Sequence, residues 1–238
     1  MIPFRDDNPT RLFPIVVVTI IAANVVIFLH QLLLPSPEDQ IFVYTYGAVP
    51  AIIVGRITRE QLSSAGVPFG PLQPAWLAIF TSMFLHGGLL HLGGNMLYLW
   101  IFGNNVEDVL GHVRFLIFYL VCGTLAAAAQ ILMSVHSPVP MVGASGAIAG
   151  VLGAYFVKFP YARVRCLVFL FFFITVVMLP ASLVLLLWFL LQVLHSLQVG
   201  SGAQGGVAVF AHIGGFIAGW ALIRRFEPRR RRPALIRR

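Results

Sequence analysis

Long apolar segments constrain this chain more than any other feature of its sequence. A helix needs about 20 residues to cross the hydrocarbon core of a bilayer, which is about 30 Å thick. Only 10% of the residues are charged, whereas about 25% are charged in a typical soluble domain. The composition therefore excludes a soluble domain and predicts an all-α membrane protein with six transmembrane helices. The apolar segments that meet or approach the spanning length are residues 12–34, 76–102, 113–135, 145–157, 168–197 and 206–223.

Basic residues are divided very unequally between the two sides of the predicted bundle. Six spans place both termini on one side, and that side holds 14 of the 16 Lys and Arg residues. The other side holds Arg56 and Arg59. Lys and Arg accumulate on the cytoplasmic side of membrane proteins. We therefore expect the N-terminus, residues 1–11, and the basic tail, residues 227–238, to be cytoplasmic, and residues 12–226 to form the membrane domain.

The tail and two further segments do not fit a simple spanning helix. The arginines of the tail suit anionic lipid headgroups, so we expect the lipid bilayer as a partner and no nucleic acid. Residues 35–74, the non-cytoplasmic first loop, contain apolar stretches and are predicted to lie partly in the membrane interface. Pro180 interrupts the fifth apolar segment, because proline breaks helices. We interpret residues 168–179 as interfacial or partly re-entrant and residues 181–197 as the spanning helix.

The fourth apolar segment is too short to span the bilayer. Between Gly143 and Lys158 there are about 14 helical residues, which cover roughly 21 Å at 1.5 Å per residue. With Lys158 at the cytoplasmic interface, the helix begins about 10 Å below the opposite surface. Its first N–H groups must then face protein or water, where they stabilise negative charge. Ser145 in this position is either a nucleophile candidate or a small packing residue bonded to a backbone carbonyl.

Three histidines fall inside predicted spans and away from the segment ends, where ionisable residues are rare and usually functional. His91 and Asn95 are four residues apart, and hence on one face of the second helix. His86 precedes them at about the depth inferred for Ser145, and His212 lies on the sixth helix. Small residues on the fourth and sixth helices allow close packing, which would bring His212 to Ser145. These residues are Gly146, Gly150 and Gly153 on the fourth helix and Ala211, Gly215 and Gly219 on the sixth.

The predicted spans contain no carboxylate. No Asp or Glu occurs between Asp7 and Glu38, between Glu60 and Glu107, or between Asp108 and Glu227. This excludes an aspartyl intramembrane protease and a zinc protease with an H-E-x-x-H motif. The polar residues of the predicted spans therefore favour a serine nucleophile with a histidine base. In such a pair, packing rather than an acidic side chain orients the imidazole ring. Two alternatives stay open, which are a metal site formed by the three intramembrane histidines and a rival Ser82–His86 dyad.

Four short motifs resemble the rhomboid family of intramembrane serine proteases. They are HGGLLHLGGN at residues 86–95, FGNNVE at 102–107, GASG at 143–146 and AHIGG at 211–215. They occur in family order within a core of residues 76–223. The resemblance implies a six-helix rhomboid fold with a short, submerged fourth helix. It also implies roles for the matching residues: Ser145 as nucleophile, His212 as base, His91 and Asn95 as oxyanion donors, His86, Gly143 and Gly146 as cavity-lining residues, and Glu107 as a structural acid.

The resemblance implies an endopeptidase that uses a Ser–His dyad to hydrolyse peptide bonds in or near transmembrane segments of other membrane proteins, without metal or cofactor. We expect a multi-pass protein of a bacterial plasma membrane. Alternatives are an inactive rhomboid-like binding protein and a transporter that uses the intramembrane histidines. The chain departs from many family members in two places. Ala149 stands where a tyrosine supports the base, and Trp76 lacks the arginine that accompanies it in some bacterial members.

Overall fold

Helices dominate the structure, as the apolar segments predict. A computed structural model describes residues 1–67, 69–70, 73–170, 173–198 and 208–228. Residues 229–238 of the predicted basic tail lie outside the described residues. In the described part, the α-helices are α1 (Ile15–Leu33), α2 (Glu38–Tyr46), α3 (Pro50–Ile53), α4 (Arg59–Ser64), α5 (Ala78–Thr81), α6 (Leu89–Tyr98), α7 (Asn104–Leu110), α8 (His112–Met133), α9 (Ser145–Lys158), α10 (Ala181–Gln198) and α11 (Val209–Phe226).

Several of these helices are suited to a membrane. By length and composition, α1 and α8 can each cross a bilayer, and the bent segment formed by residues 75–84 and 89–110 counts as a third span if its halves are taken together. Helix α9 is apolar but has only 14 residues. The prediction of a helical membrane protein with a short fourth helix is confirmed, while the count of six spans stays a prediction.

The second predicted span is interrupted. Residues 75–84 are helical, but the chain leaves the helix at Leu85 and resumes it at Leu89, where the axis has turned by 82°. Gly87 and Gly88 lie at this break, and glycine is a poor helix former. The helix that resumes at Leu89 continues through the π-helical turn Leu99–Gly103 and α7 to Leu110. The second span therefore extends beyond Phe102, where the sequence predicts its end.

An antiparallel three-stranded sheet was not predicted. Strand β1 (Ile2–Asp6) pairs with β2 (Arg163–Leu170), and β2 pairs with β3 (Phe173–Pro180). The described residues of the segment interpreted as interfacial or re-entrant thus lie in the paired strands β2 and β3, which are rich in the β-branched and aromatic residues that favour strands. Helix α10 begins directly after Pro180, where the sequence predicts its start.

Glu107 anchors the beginning of α1. Its side chain is fully buried in α7 and accepts hydrogen bonds from the backbone N–H groups of Val16 (2.9 Å) and Val17 (2.8 Å). His112 Nδ1 lies 2.6 Å from the same carboxylate. The acid therefore satisfies N–H groups in the first turn of α1, which have no partner within their own helix. This contact fits the structural role that the resemblance implies for Glu107.

Helix α9 lies in the centre of the protein and packs closely against α11. Every residue of α9 from Ala147 to Tyr155 is buried. A Cβ atom added at Gly215 would collide with the carbonyl oxygen of Gly146, and one added at Gly219 would collide with that of Gly150. The two helix backbones therefore touch along the predicted stripes of small residues.

Candidate active site

Ser145 is the first residue of α9. Gly143, two residues earlier, has φ +126° and donates its N–H to the Ser82 carbonyl at 2.8 Å. Glycine tolerates this positive φ, which other residues rarely adopt. Ala144, at the N-cap position, has no side-chain oxygen that could cap the helix. The hydroxyl of Ser145 therefore lies beside helix N–H groups that no capping side chain occupies, a place where negative charge is stabilised.

His212 brings its ring to this hydroxyl from α11. Its Nε2 lies 2.8 Å from Ser145 Oγ, and the residue is only 8% exposed. Gln130 of α8 fixes the beginning of α11, since its Oε1 accepts hydrogen bonds from the backbone N–H groups of Phe210 (3.0 Å) and Ala211 (3.2 Å). A neutral imidazole with its proton on Nδ1 can accept the hydroxyl proton at Nε2, which is the arrangement of a nucleophile and its general base.

The other ring nitrogen of His212 contacts α10. Nδ1 lies 2.8 Å from Gln192 Oε1, and the Trp188 ring lies one turn earlier, with its centroid 5.7 Å from that of His212. Gln130, Gln192 and Trp188 are functional-site neighbours that were not predicted from the sequence. A signal was available for the two glutamines, because polar residues within apolar membrane segments usually have a structural or functional role.

His91 approaches Ser145 from α6. A Cβ atom added at Gly143 would lie 2.9 Å from His91 Nε2 and 3.7 Å from Ser145 Oγ. The backbone N–H of Gly87 donates to His91 Nδ1 at 3.4 Å. Because a neutral histidine carries one ring proton, an acceptor at Nδ1 leaves Nε2 as the donor. The ring thus directs an N–H group towards the side of Ser145 on which Gly143 lies.

Asn95 and His86 are buried near His91, with polar atoms that have no hydrogen-bond partner among the described residues. Asn95 lies one helical turn beyond His91 on the same face of α6. Its atom without a partner is Nδ2, which is a hydrogen-bond donor. His86 lies in the break before α6, with its ring packed edge-on against that of His91 at 5.1 Å between centroids. Both of its ring nitrogens lack a partner in the described part.

An open cleft of about 370 Å³ lies beside Ser145. Gly143 and Gly146 are among its lining residues, whereas His86 is not. Most of the lining is small and apolar. The remaining lining residues are Ile79, Ser82, Met83, Gly123, Ala126, Ala127, Met141, Val142, Ala147, Ala208 and Ala211.

Among the described residues, neither alternative site is assembled, although the rings of His86 and His91 are in contact. The Ser82 hydroxyl donates to the Ile79 carbonyl at 3.1 Å, and no hydrogen bond links it to His86 in the described part. Within the same described residues, no group of three or more His, Cys, Asp or Glu side chains is arranged to hold a metal ion. The geometry therefore favours the pair of Ser145 and His212 over both alternatives.

Comparison with known proteins identifies the family. A family model described as Rhomboid domain matches residues 73–227. The rhomboid protease GluP of Bacillus subtilis is 41% identical over 102 residues, which are 42% of this chain and 20% of that protein. Rhomboid protein 1, mitochondrial, of Saccharomyces cerevisiae is 38% identical over 101 residues, or 39% of this chain and 28% of that protein.

A longer match extends over most of the chain. RHOMBOID-like protein 1 of Arabidopsis thaliana is 25% identical over 232 residues, which cover 92% of this chain and 55% of that protein. The matched regions therefore cover between a fifth and just over half of the length of these three relatives. The family model covers well over half of this chain and contains all four motifs. The chain belongs to the rhomboid family.

Proposed function

We propose that this chain is an intramembrane serine endopeptidase that hydrolyses peptide bonds in or near the transmembrane segments of other membrane proteins. The observation that carries the proposal is the 2.8 Å contact between Ser145 Oγ and His212 Nε2 at the beginning of α9. A reactive hydroxyl, a histidine base and adjacent N–H donors are the components that acyl transfer requires. The match to the rhomboid family supports the same activity.

The first chemical step forms an acyl-enzyme. Ser145 Oγ attacks the scissile carbonyl carbon while its proton passes to His212 Nε2. The protonated ring then gives that proton to the leaving amine as the peptide C–N bond breaks. In the second step, His212 takes a proton from water, which attacks the ester carbonyl. Ser145 leaves with the proton that His212 returns, so both residues end the cycle unchanged.

Charge on the carbonyl oxygen is stabilised by N–H donors around Ser145. The donors are His91 Nε2–H, Asn95 Nδ2 and the backbone N–H of Ser145 itself. They are held in place before substrate binds, because they belong to the helices α6 and α9. Fixed donors aimed at the developing charge are the largest single contribution in many enzymes.

Substrate must reach Ser145 as an unwound segment. A continuous helix occupies its carbonyls in i→i−4 hydrogen bonds, so residues that weaken a helix should promote cleavage.

We propose that the scissile bond lies towards the non-cytoplasmic side of a cell membrane, with both termini of this enzyme in the cytoplasm. The unequal division of Lys and Arg supports this orientation.

Active-site labelling tests the proposal. Detergent-solubilised protein is treated with a fluorescent fluorophosphonate, which forms a covalent bond with activated serines. We expect labelling of the unsubstituted protein and of Ser82→Ala, and none of Ser145→Ala. Ser82→Ala is a matched control because its hydroxyl also lines the cleft. Labelling that persists in Ser145→Ala, or that is absent from all three proteins, would contradict the proposal.

A further inference from the structure

Gln192 is a polar side chain in a strongly apolar helix. Every other described residue of α10 from Ala181 to Leu194, apart from Ser182, is apolar. Its Oε1 lies 2.8 Å from Nδ1 of His212, on the opposite side of the ring from Ser145. Aromatic contacts hold the two helices in register, since Trp188 and Phe189 pack against Phe216, one turn beyond His212 on α11. The contact therefore joins a fixed glutamine to a fixed histidine.

The protonation pattern of His212 depends on which atom faces its Nδ1. An oxygen there accepts a hydrogen bond, which keeps the ring proton on Nδ1 and leaves the lone pair of Nε2 free for the Ser145 proton. The amide NH₂ group in the same place would donate to Nδ1 and shift the ring proton to Nε2, where it would oppose the hydroxyl of Ser145. The orientation of the Gln192 amide thus determines whether His212 can act as a base.

We infer that Gln192 is a positioning residue that holds His212 in the base-competent tautomer, taking the place of the carboxylate that the predicted spans lack. The inference rests on the proposed function. An amide oxygen accepts this hydrogen bond without adding a charged group to an apolar helix. Ala149, on the face of α9 next to α11, has only a methyl group, so Gln192 and Trp188 supply the side-chain support of the ring.

Two substitutions separate hydrogen bonding from packing. Gln192→Met keeps the length of the side chain but removes the oxygen acceptor, and Gln192→Glu keeps an oxygen at the same reach. We expect the kcat of Gln192→Met to fall by about 10- to 100-fold with KM within about twofold, since general-base catalysis contributes about 10²- to 10⁴-fold. Gln192→Glu should retain more activity than Gln192→Met. Leu191→Met, at an exposed position on the same helix, is the matched control and should behave like the unsubstituted protein.

The pH dependence of kcat/KM gives a readout that a packing role would not change. Among the described residues, the titratable group that acts electrostatically on His212 is His91. The side chains of α8, α9 and α10 that hydrogen-bond to this end of α11 are Gln130, Ser145 and Gln192, which are uncharged, as is Trp188 beside the His212 ring. A carboxylate at position 192 favours the protonated ring, so the acidic limb of the profile should move to higher pH in Gln192→Glu. Equal losses in both variants with unchanged profiles would overturn the inference.

Nuclear magnetic resonance tests the tautomer independently of proteolysis. In protein labelled with ¹⁵N-histidine, with the His212 signals assigned by difference from His212→Ala, Nδ1 should be the protonated nitrogen at alkaline pH. Gln192→Met should show a mixture of the two tautomers. If Nε2 carries the proton in the unsubstituted protein, the inference is wrong. If Nδ1 carries it but no Ser145-dependent cleavage occurs, the proposed function fails while the positioning role stands.

Discussion

At the scale of single residues, the chemistry depends on where four side chains direct their polar atoms. Ser145 Oγ and His212 Nε2 lie 2.8 Å apart. The Gly87 N–H at His91 Nδ1 leaves the opposite ring nitrogen as a donor. Asn95 Nδ2 is buried without a partner among the described residues. A buried donor without a partner is costly, and an oxyanion formed during catalysis would provide one.

Replacement of Asn95 tests its role as an oxyanion donor. Removal of one such donor typically lowers kcat by about 10²- to 10³-fold. We therefore expect Asn95→Ala to retain slow proteolysis, with the loss in kcat and with KM nearly unchanged, measured on a single-span substrate in detergent. Unchanged kcat, or loss of activity that follows loss of folded protein in circular dichroism, would instead identify Asn95 as a packing residue.

The sequence allows some of these site residues to be predicted and not others. Ser145, His91, Asn95 and His212 were selected because each lies in a short motif or at an unusual place in a predicted span. Gln192 and Gln130 have no motif around them. Their partners are 20 or more residues away in the chain, on other helices. Such contacts depend on the rotation and height of packed helices, which hydrophobic patterns do not specify.

At the scale of helices and strands, the close contact of α9 and α11 holds the dyad together. Because Gly215 has no side chain, its backbone can touch the carbonyl oxygen of Gly146, one helical turn beyond His212 and next to Ser145. This pairing follows from the stripes of small residues and was predicted from them. The break before α6 and the paired strands β2 and β3 were not predicted, because an apolar run alone does not distinguish a straight helix from a bent one or from strands.

A methyl group at Gly215 should separate the two helices. Its Cβ would overlap the Gly146 carbonyl oxygen, and overpacking of this kind typically costs about 1–3 kcal/mol. We expect Gly215→Ala to lower the thermal unfolding temperature in detergent and to reduce proteolysis, since the distance from Ser145 to His212 must increase.

Gly93→Ala is the matched control for this substitution. Gly93 lies within α6, and a Cβ atom there would have no neighbour within 4 Å. Alanine favours helix over glycine by about 1 kcal/mol, so this variant should be at least as stable as the unsubstituted protein. If Gly215→Ala is as stable and active as Gly93→Ala, the close contact is not what holds the dyad together.

At the scale of the whole molecule, the N-terminal strand joins the sheet to the helical core. Asp6, at the end of β1, accepts hydrogen bonds from Tyr155 Oη of α9 (2.6 Å) and from Asn105 Nδ2 of α7 (2.9 Å). The strand also packs against the π-helical turn Leu99–Gly103. The first residues of the chain are thereby connected to the helix that begins at Ser145.

Asp6 should make stability depend on pH. Burial raises the pKa of its carboxyl group above the ordinary value, although the hydrogen bond from Tyr155 opposes this. The folded protein then binds the proton more tightly than the unfolded chain, so stability falls as pH rises from about 4 through the raised pKa. Relative to Asp6→Asn, the unsubstituted protein should lose thermal stability between pH 4.5 and pH 7.

Asp7→Asn controls for the loss of a negative charge near β1. Asp7 forms an ion pair with Arg165 at 2.9 Å, and both side chains are partly exposed. Because the negative charge of Asp7 contributes to the raised pKa of Asp6, this substitution should weaken the loss of stability with rising pH without removing it, whereas Asp6→Asn should remove the Asp6 contribution altogether. An equal stability difference between the unsubstituted protein and Asp6→Asn at both pH values would show that Asp6 is not responsible.

The most direct measurement of the central claim is mass spectrometry of the products formed from a single-span membrane protein in proteoliposomes. The substrate should carry glycine or proline near the non-cytoplasmic end of its helix, because both weaken helices. We predict two complementary fragments that together contain one added water molecule, formed by the unsubstituted enzyme with or without EDTA and absent with Ser145→Ala and with His212→Ala. The same fragments from Ser145→Ala would contradict the account.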